Sequence, residues 1–223
     1  DWQTSLGGNI VSGGNSPTPV VDQPGIYTLT VTNPVNGCAS MDMVEIFNDA
    51  NAPSANAGTA ATLTCAVIQT NLNATASTGS NITYNWTTSA GGNILNGQNT
   101  LTPTVNEPGV YTLTVTNGTN GCVATSSVTV PENVVPPMVD AGNASTLTCV
   151  VTNLALVGSA SGGTANYAWT TTTGNILSGG NTLTPAINQS GIYSLTATLV
   201  GNGCSASDLV TIGIDTLAPA FQL

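Results

Sequence analysis

The side chains of this sequence that are most able to do covalent chemistry are its five cysteines, and their spacing is regular. Cys65 and Cys149 lie 84 residues apart. A second series, Cys38, Cys122 and Cys204, is spaced by 84 and 82 residues. Cysteines that recur at two positions of a repeat favour disulfide chemistry in an oxidising, extracytoplasmic compartment.

Three residue types that most active sites need are absent. The 223 residues include no lysine, arginine or histidine, and the net charge is −10. A Ser-His-Asp or Cys-His site needs histidine, a Schiff base needs lysine, and nucleic-acid phosphates need cationic partners. We therefore expect no catalytic residue, no cofactor, no nucleic-acid partner and no enzyme activity. No run of about 20 apolar residues is present either, so we expect no membrane span.

The cysteine spacing is part of a longer internal repeat. Gly109–Asn117 (GVYTLTVTN) matches similar segments that begin at Gly25 and Gly191, and tryptophan recurs with the same period at Trp2, Trp86 and Trp169. The alignment predicts the C-terminal half of a domain at 1–48, complete domains at 49–132 and 133–214, and the start of a further domain at 215–223. We therefore expect this chain to be a segment of a longer protein.

Each repeat contains about seven short segments of strand type and no helical period. In the clearest of them, Tyr111, Leu113 and Val115 alternate with threonines, as in a strand with one buried face. The Gly-x-Tyr ahead of this strand resembles the tyrosine corner of immunoglobulin-like sandwiches. The sequence thus predicts an all-β chain of tandem immunoglobulin-like β-sandwich domains, of about seven strands each, in an extended array.

With one tryptophan per domain, the aromatic side chains are needed for the core rather than for stacking on a ligand. The predicted core aromatics are Trp2, Tyr27, Trp86, Tyr111, Trp169 and Tyr193.

Two pairings of the cysteines fit the repeat. Within domains, Cys65 would join Cys122 and Cys149 would join Cys204; between domains, Cys38 would join Cys65 and Cys122 would join Cys149. Cys122 opens a strand of about eight residues that covers roughly 25 Å, whereas a disulfide needs Cα atoms within about 7 Å. Because Cys149 lies beyond that strand, we predict the intradomain pairing, in which Cys38 has no partner in this sequence.

The junctions between repeats contain proline and acidic residues. Asp49 and Asp215 occupy equivalent junction positions, and carboxylates at such junctions can bind Ca²⁺ and stiffen a stalk. The sequence has no dense Asp-rich loop, so solvated acids are the alternative interpretation. Short proline-containing linkers predict an array of modest flexibility.

A longer pattern in the repeat resembles the immunoglobulin-like or PKD-like tandem repeats of giant secreted Bacteroidota surface adhesins or filaments. It comprises Ala57-Gly58, Leu63-Thr64-Cys65, Tyr84-Asn85-Trp86-Thr87, Gly109–Asn117 and Asn120-Gly121-Cys122. The resemblance implies type IX secretion, a cell-surface location, and a role in gliding, attachment or capture of other cells. Asp215-Thr216-Leu217 is similar to a short O-glycosylation motif of that phylum, which makes Thr216 a candidate glycosylation site.

These observations favour a structural segment of an extracellular fibre or adhesin, in which disulfide-stapled domains provide length and mechanical strength. Its partners would be neighbouring domains of the same long chain, and identical chains in a filament. The alternatives are an array of glycan-binding modules or the accessory domains of a secreted enzyme. Glycan-binding modules usually display exposed aromatic side chains, and here nearly all of them occupy core-type positions.

Overall fold

A computed structural model describes residues 1–89 and 91–218, which form 22 β-strands and no helix. The residues cluster into two compact units. The first unit contains Asp1–Pro53, Gly79–Ile82 and Thr116–Val123, and the second contains Ser54–Thr78, Thr83–Val115 and the chain from Ala124 onward. The predicted all-β fold class is confirmed.

The first repeat provides strands β1 to β5, which are Trp2–Ser5, Ile10–Ser12, Val20–Val21, Gly25–Thr32 and Ala39–Ile46. They form one sheet in the order β1-β4-β5 and a small sheet of β2 and β3. The long antiparallel hairpin of β4 and β5 runs in register from Gly25 opposite Ile46 to Thr32 opposite Ala39.

The second repeat provides strands β6 to β13. They are Leu63–Thr64, Thr70–Asn71, Ile82–Ser89, Ile94–Asn96, Thr104–Val105, Gly109–Asn117, Val123–Val130 and Glu132–Asn133. One sheet has the order β12-β11-β8 and the other the order β7-β10-β9. Strand β6 pairs in parallel with β13, with Leu63 opposite Glu132.

The third repeat provides strands β14 to β22. They are Met138–Asp140, Ser145–Thr148, Leu154–Ala155, Ser159–Ser161, Ala165–Thr171, Ile176–Ser178, Ala186–Ile187, Gly191–Leu199 and Ser205–Asp215. The four-stranded sheet has the order β15-β22-β21-β18, and β15 is parallel to β22. The opposite layer consists of β14-β17 and β16-β20-β19. This two-layer arrangement of short strands is an immunoglobulin-like β-sandwich.

The core of the third repeat lies between its two layers. Trp169 on β18 and Tyr193 on β21 pack in one buried cluster with Ile187 of the opposite layer. Trp86, Tyr111 and Tyr27 are likewise buried, whereas Trp2 is only half-buried. Each tryptophan also satisfies its indole N–H; Trp86 Nε1 donates to the Thr100 carbonyl at 3.1 Å and Trp169 Nε1 to the Thr182 carbonyl at 2.9 Å.

The tyrosine of each Gly-x-Tyr segment forms a tyrosine corner. The Tyr111 hydroxyl donates to the Glu107 carbonyl, four residues upstream, at 2.7 Å, and accepts the backbone N–H of Asn93 at 2.9 Å. Burial raises the pKa of the Tyr111 hydroxyl, which keeps it protonated and able to donate at neutral pH. A Cβ at Gly109 would lie 2.6 Å from the backbone nitrogen of Gly92, so glycine is needed where these two segments touch.

We expect Tyr111→Phe to lower the unfolding free energy of the second repeat by about 1–3 kcal/mol, because it leaves the part-buried Asn93 N–H without its acceptor. Chemical denaturation of the oxidised chain measures the change. Tyr84→Phe, at a half-buried tyrosine on β8, is the control and should change stability by less than about 0.5 kcal/mol. Equal effects of the two substitutions would contradict the corner's role.

The first repeat has an open apolar face. Val44 and Ile46 on β5 are 46 % and 40 % exposed, whereas their counterparts on β22, Val210 and Ile212, are 3 % and 2 % exposed. The third repeat has the strands β14, β16 and β17 in the layer opposite β22, and residues 1–48 contribute no equivalent strands. The first repeat is therefore a half-sandwich in this structure.

Candidate functional site: a clasp between the second and third repeats

A disulfide between two different repeats is the centre of the candidate site. Cys65 of the second repeat is bonded to Cys204 of the third, with Sγ atoms 2.05 Å and Cα atoms 5.0 Å apart. The two cysteines are 139 residues apart in sequence, and both lie in the second compact unit. The bond therefore adds a covalent link between repeats that the peptide chain already connects.

The predicted intradomain pairing is wrong. Neither Cys65–Cys122 nor Cys149–Cys204 is bonded; Cys38, Cys122 and Cys149 are free thiols in this structure. The alternative Cys38–Cys65 and Cys122–Cys149 bonds are absent too.

The direction of strand β6 explains the error. Because β6 is parallel to β13, Cys65 at the end of β6 lies beside the point where the chain leaves the second repeat. Leu63 N–H donates to the Pro131 carbonyl at 2.9 Å at this end. Cys122 comes directly before the eight-residue strand β12, and a strand of that length covers about 25 Å. The same strand length counts against a Cys65–Cys122 bond as well as against a Cys122–Cys149 bond.

Hydrogen bonds around the disulfide tie the hairpin of the third repeat to the second repeat and to the linker. Ala66 N–H donates to the Asn202 carbonyl at 3.2 Å. The Asn202 side-chain amide donates to Asn133 Oδ1 at 3.1 Å and to the Val135 carbonyl at 3.0 Å. Asn202 is 5 % exposed, so these bonds satisfy a buried amide and fix the hairpin of the third repeat on the linker.

Gly203 makes the close approach possible. Its φ of +71° lies in the left-handed region, and an added Cβ would come within 2.6 Å of the Ala66 Cβ. Both the backbone conformation and the contact therefore require glycine. We use the term clasp for the disulfide together with Ala66, Asn133, Val135, Asn202 and Gly203.

Four residues of the clasp are not predicted from the sequence: Ala66, Asn133, Val135 and Asn202. A signal was available, because Asn-Gly-Cys recurs at 36–38, 120–122 and 202–204. By itself Asn-Gly is an ordinary hairpin signal, so the motif does not indicate a contact with the linker. Within the first compact unit, Asn120 Nδ2 donates to the Asn51 carbonyl at 3.1 Å, which is the repeat counterpart of the Asn202 bond to Val135. The contact of hairpin with linker is thus a property of the repeat.

The calcium candidates Asp49 and Asp215 each accept hydrogen bonds from their own turns. Asp49 Oδ1 accepts the Asn51 side-chain amide at 2.8 Å, and Asp215 Oδ1 accepts Leu217 N–H at 3.1 Å. The backbone N–H of Asn51, followed by the side chain of Asn120, lowers the pKa of Asp49. No group of three or more carboxylate or cysteine side chains that could hold a metal ion converges within residues 1–89 and 91–218.

The candidate glycosylation site Thr216 is exposed, and its glycosylation stays a prediction.

A cavity of about 460 Å³ adjoins the clasp. Gly162, Leu199 and Val200 lie along its wall, and none of its described lining residues is aromatic or charged. It therefore lacks the stacking surface that a carbohydrate ring uses.

None of the described residues forms a helix long and apolar enough to cross a membrane.

One carboxylate takes part in the fold of the third repeat. Asp208 Oδ2 accepts Ala141 N–H at 2.8 Å, and this hydrogen bond, followed by that from Leu209 N–H, lowers the pKa of Asp208 below its ordinary value of 3.8. In the second repeat the Ser126 hydroxyl accepts the equivalent Ala57 N–H at 3.1 Å.

We expect the third repeat to lose stability as the pH falls below about 4, since a group with a lowered folded pKa stabilises the fold only while it is ionised. Asp208→Ser, which copies the second repeat, should remove this part of the pH dependence. Thermal unfolding midpoints between about pH 5 and pH 2 measure it. Parallel pH profiles for the native chain and the variant would contradict the expectation.

The comparisons with known proteins give fold likeness only. The sequence matches no protein-family profile and no curated protein. Among solved structures, the titin I-band fragment I67–I69 is 14 % identical with a TM-score of 0.38, over 74 % of this chain and 66 % of that one. Immunoglobulin domains 1–5 of Sidekick-1 are 16 % identical with a TM-score of 0.37, over 100 % of this chain and 55 % of that one.

A third similar structure contains three N-terminal domains of the highly immunogenic outer capsid protein of bacteriophage RB49. It is 18 % identical with a TM-score of 0.41, over 73 % of this chain and 59 % of that one. This chain thus spans between 55 % and 66 % of the length of these three structures. Each of them, like this chain, contains several domains in series.

Proposed function

We propose that this chain is a structural segment of a long extracellular fibre or adhesin, in which clasped immunoglobulin-like domains provide length and mechanical strength. The complete domains of the segment are then 49–132 and 133–214. The observation on which it chiefly depends is the Cys65–Cys204 bond, which links one repeat to the next. A covalent link between neighbouring domains resists separation and rotation about the linker, which is a mechanical property rather than a catalytic one.

The composition supports an extracellular location. Disulfides persist in oxidising compartments, and a chain without lysine or arginine offers no cleavage site to proteases that require those residues. Together with the sequence resemblance, this supports a cell-surface appendage exported by type IX secretion and used for attachment or cell capture. Its partners are then neighbouring domains of the same chain, and identical chains in a filament.

The composition also supports a non-enzymatic role, since histidine and lysine are absent. A glycan array probed with the oxidised chain tests the binding-module alternative. Binding to a defined glycan that survives loss of the clasp in Cys65→Ser would favour that alternative over a purely structural role.

Immunogold electron microscopy of the source cells tests the location directly. Antibodies raised against the oxidised chain should label filaments or a coat outside the cell envelope. Labelling should be repeated along the length of each filament, because a long array presents the same epitopes many times. Label confined to the cell interior would overturn the proposal.

A further inference from the structure

The loop that forms one half of the clasp occurs a second time in the third repeat. At the bonded copy, Thr64 N–H donates to the Val67 carbonyl at 2.9 Å, and the Thr64 hydroxyl accepts Ala66 N–H at 3.2 Å. At the copy around Cys149, Thr148 N–H donates to the Val151 carbonyl at 2.9 Å, and the Thr148 hydroxyl accepts Val150 N–H at 3.3 Å. The Cys149 loop therefore has the clasp conformation without a bonded partner.

The hairpin that forms the other half also recurs. In the bonded copy, Cys204 N–H donates to Asn202 Oδ1 at 3.0 Å, and Gly203 N–H donates to the Leu199 carbonyl at 2.9 Å. In the first repeat, Cys38 N–H donates to Asn36 Oδ1 at 3.0 Å, and Gly37 N–H donates to the Asn33 carbonyl at 2.9 Å. The φ angles of Gly37 and Gly203, +72° and +71°, also agree.

The contact surfaces of these two unbonded copies are open. Val150, the counterpart of Ala66, is 90 % exposed, and Cys149 and Cys38 are exposed. A Cβ at Gly37 would meet nothing within 4 Å, whereas a Cβ at Gly203 meets Ala66 at 2.6 Å. The repeat positions that touch in the bonded clasp thus face solvent at Cys149 and at Cys38.

We propose that the Cys149 loop is a docking site for the Asn-Gly-Cys hairpin of a further repeat of this kind, and that a disulfide closes between Cys149 and the hairpin cysteine. The observed Cys65–Cys204 bond is the internal precedent, since Cys149 is the repeat counterpart of Cys65 and Cys38 that of Cys204. Val150 N–H would donate to the hairpin asparagine carbonyl, as Ala66 N–H does to Asn202.

The bond forms by oxidation of two thiols. Each cysteine loses a proton, and the pair gives up two electrons to a small-molecule disulfide such as oxidised glutathione, which leaves as two thiols. Docking precedes the bond and supplies its selectivity, because a hairpin with glycine next to its cysteine can approach the loop closely. The net charge of −10 on each chain opposes the approach of a second copy, so the reaction should accelerate with added salt.

A second copy of the chain provides the hairpin for the test. One variant, Cys38→Ser with Cys122→Ser, keeps Cys149 as its free thiol. The other, Cys122→Ser with Cys149→Ser, keeps Cys38. Both keep the Cys65–Cys204 bond. The two are mixed in equal amounts in a glutathione redox buffer, and disulfide-linked dimers are quantified at equilibrium by non-reducing electrophoresis and peptide mapping.

We expect the Cys149–Cys38 heterodimer to exceed each homodimer by about tenfold, as one or two additional net hydrogen bonds would produce. Heterodimers and homodimers in statistical proportion would show unselective thiol pairing and would overturn the proposal.

Gly37→Asn is the matched control in the chain that keeps Cys38. Asparagine tolerates a left-handed φ, so the hairpin and the reactivity of Cys38 are retained, whereas the added Cβ occupies the space that the loop residue needs. The heterodimer excess should then disappear. An undiminished excess would show that the hairpin contact is not the source of selectivity.

The inference deepens the proposed function by naming a partner for one of its repeats, and it rests on that function only for the source of further repeats. The redox experiment is performed in solution, so its failure is distinguishable from a failure of the labelling experiment.

Discussion

When the chain is pulled from its two ends, the oxidised form should extend by roughly 470 Å less than the reduced form, at about 3.4 Å for each residue of an extended chain. Tension enters before Cys65 and leaves after Cys204, so the disulfide takes the load. The chain between the two cysteines, which are 139 positions apart, then remains outside the force path. Most of the second and third repeats should therefore stay folded and unextended while the bond is intact.

Single-molecule force spectroscopy with and without reductant measures this difference. The control is Cys65→Ser with Cys204→Ser, which should extend fully in either buffer. Cys122→Ser with Cys149→Ser should behave like the native chain, because neither thiol is bonded in the structure. A step of whole-repeat length, about 280 Å, in the oxidised native chain would contradict the account.

Loss of the clasp disulfide should lower the unfolding free energy of the joined repeats by roughly 5 kcal/mol, in the chain-entropy description of a loop of this length. Cys65 is exposed, so Cys65→Ser removes the bond with little loss of packing. The second and third repeats should then unfold in two separate transitions, since they no longer share a cross-link.

Urea denaturation followed by tryptophan fluorescence measures the change, because Trp86 and Trp169 are buried, one in each repeat. Cys149→Ser is the matched control, at the repeat counterpart of Cys65 with an exposed free thiol, and should change stability by less than about 0.5 kcal/mol. If Cys65→Ser and Cys149→Ser lowered the unfolding free energy equally, the disulfide would not be a source of stability.

Local patterns predicted much of the fold. The alternation in Gly109–Asn117 corresponds to β11, whose apolar side chains are buried in turn, and the Gly-x-Tyr segment forms the tyrosine corner that its spacing indicated. These features depend on a few neighbouring residues. A strand with one buried face has an apolar residue at every second position, which can be read directly from its sequence.

The clasp was not predicted, because it depends on contacts far apart in sequence. Whether Cys65 lies near Cys122 or near Cys204 follows from the parallel pairing of β6 with β13, and two-residue strands leave too short a pattern to show their direction. Asn202 looked like an ordinary turn residue, since its bond to Cys204 N–H is local. Its bonds to Asn133 and Val135 join the hairpin to a linker 69 and 67 residues earlier, and no local pattern records them.

Cleavage at glutamate tests the central claim that the disulfide joins two repeats. After thiol blocking and denaturation without reductant, a glutamate-specific protease cuts after Glu45 and Glu132, while Glu107 is followed by proline. The fragments are 1–45, 46–132 and 133–223, which contain respectively Cys38, Cys65 with Cys122, and Cys149 with Cys204.

The interrepeat disulfide predicts that fragments 46–132 and 133–223 migrate as one species until reductant is added, with blocked thiols at Cys38, Cys122 and Cys149. Intradomain pairing would instead give three separate fragments before reduction, with Cys38 as the single blocked thiol. Finding three separate fragments would contradict the clasp, and finding the joined pair would establish that neighbouring repeats are cross-linked.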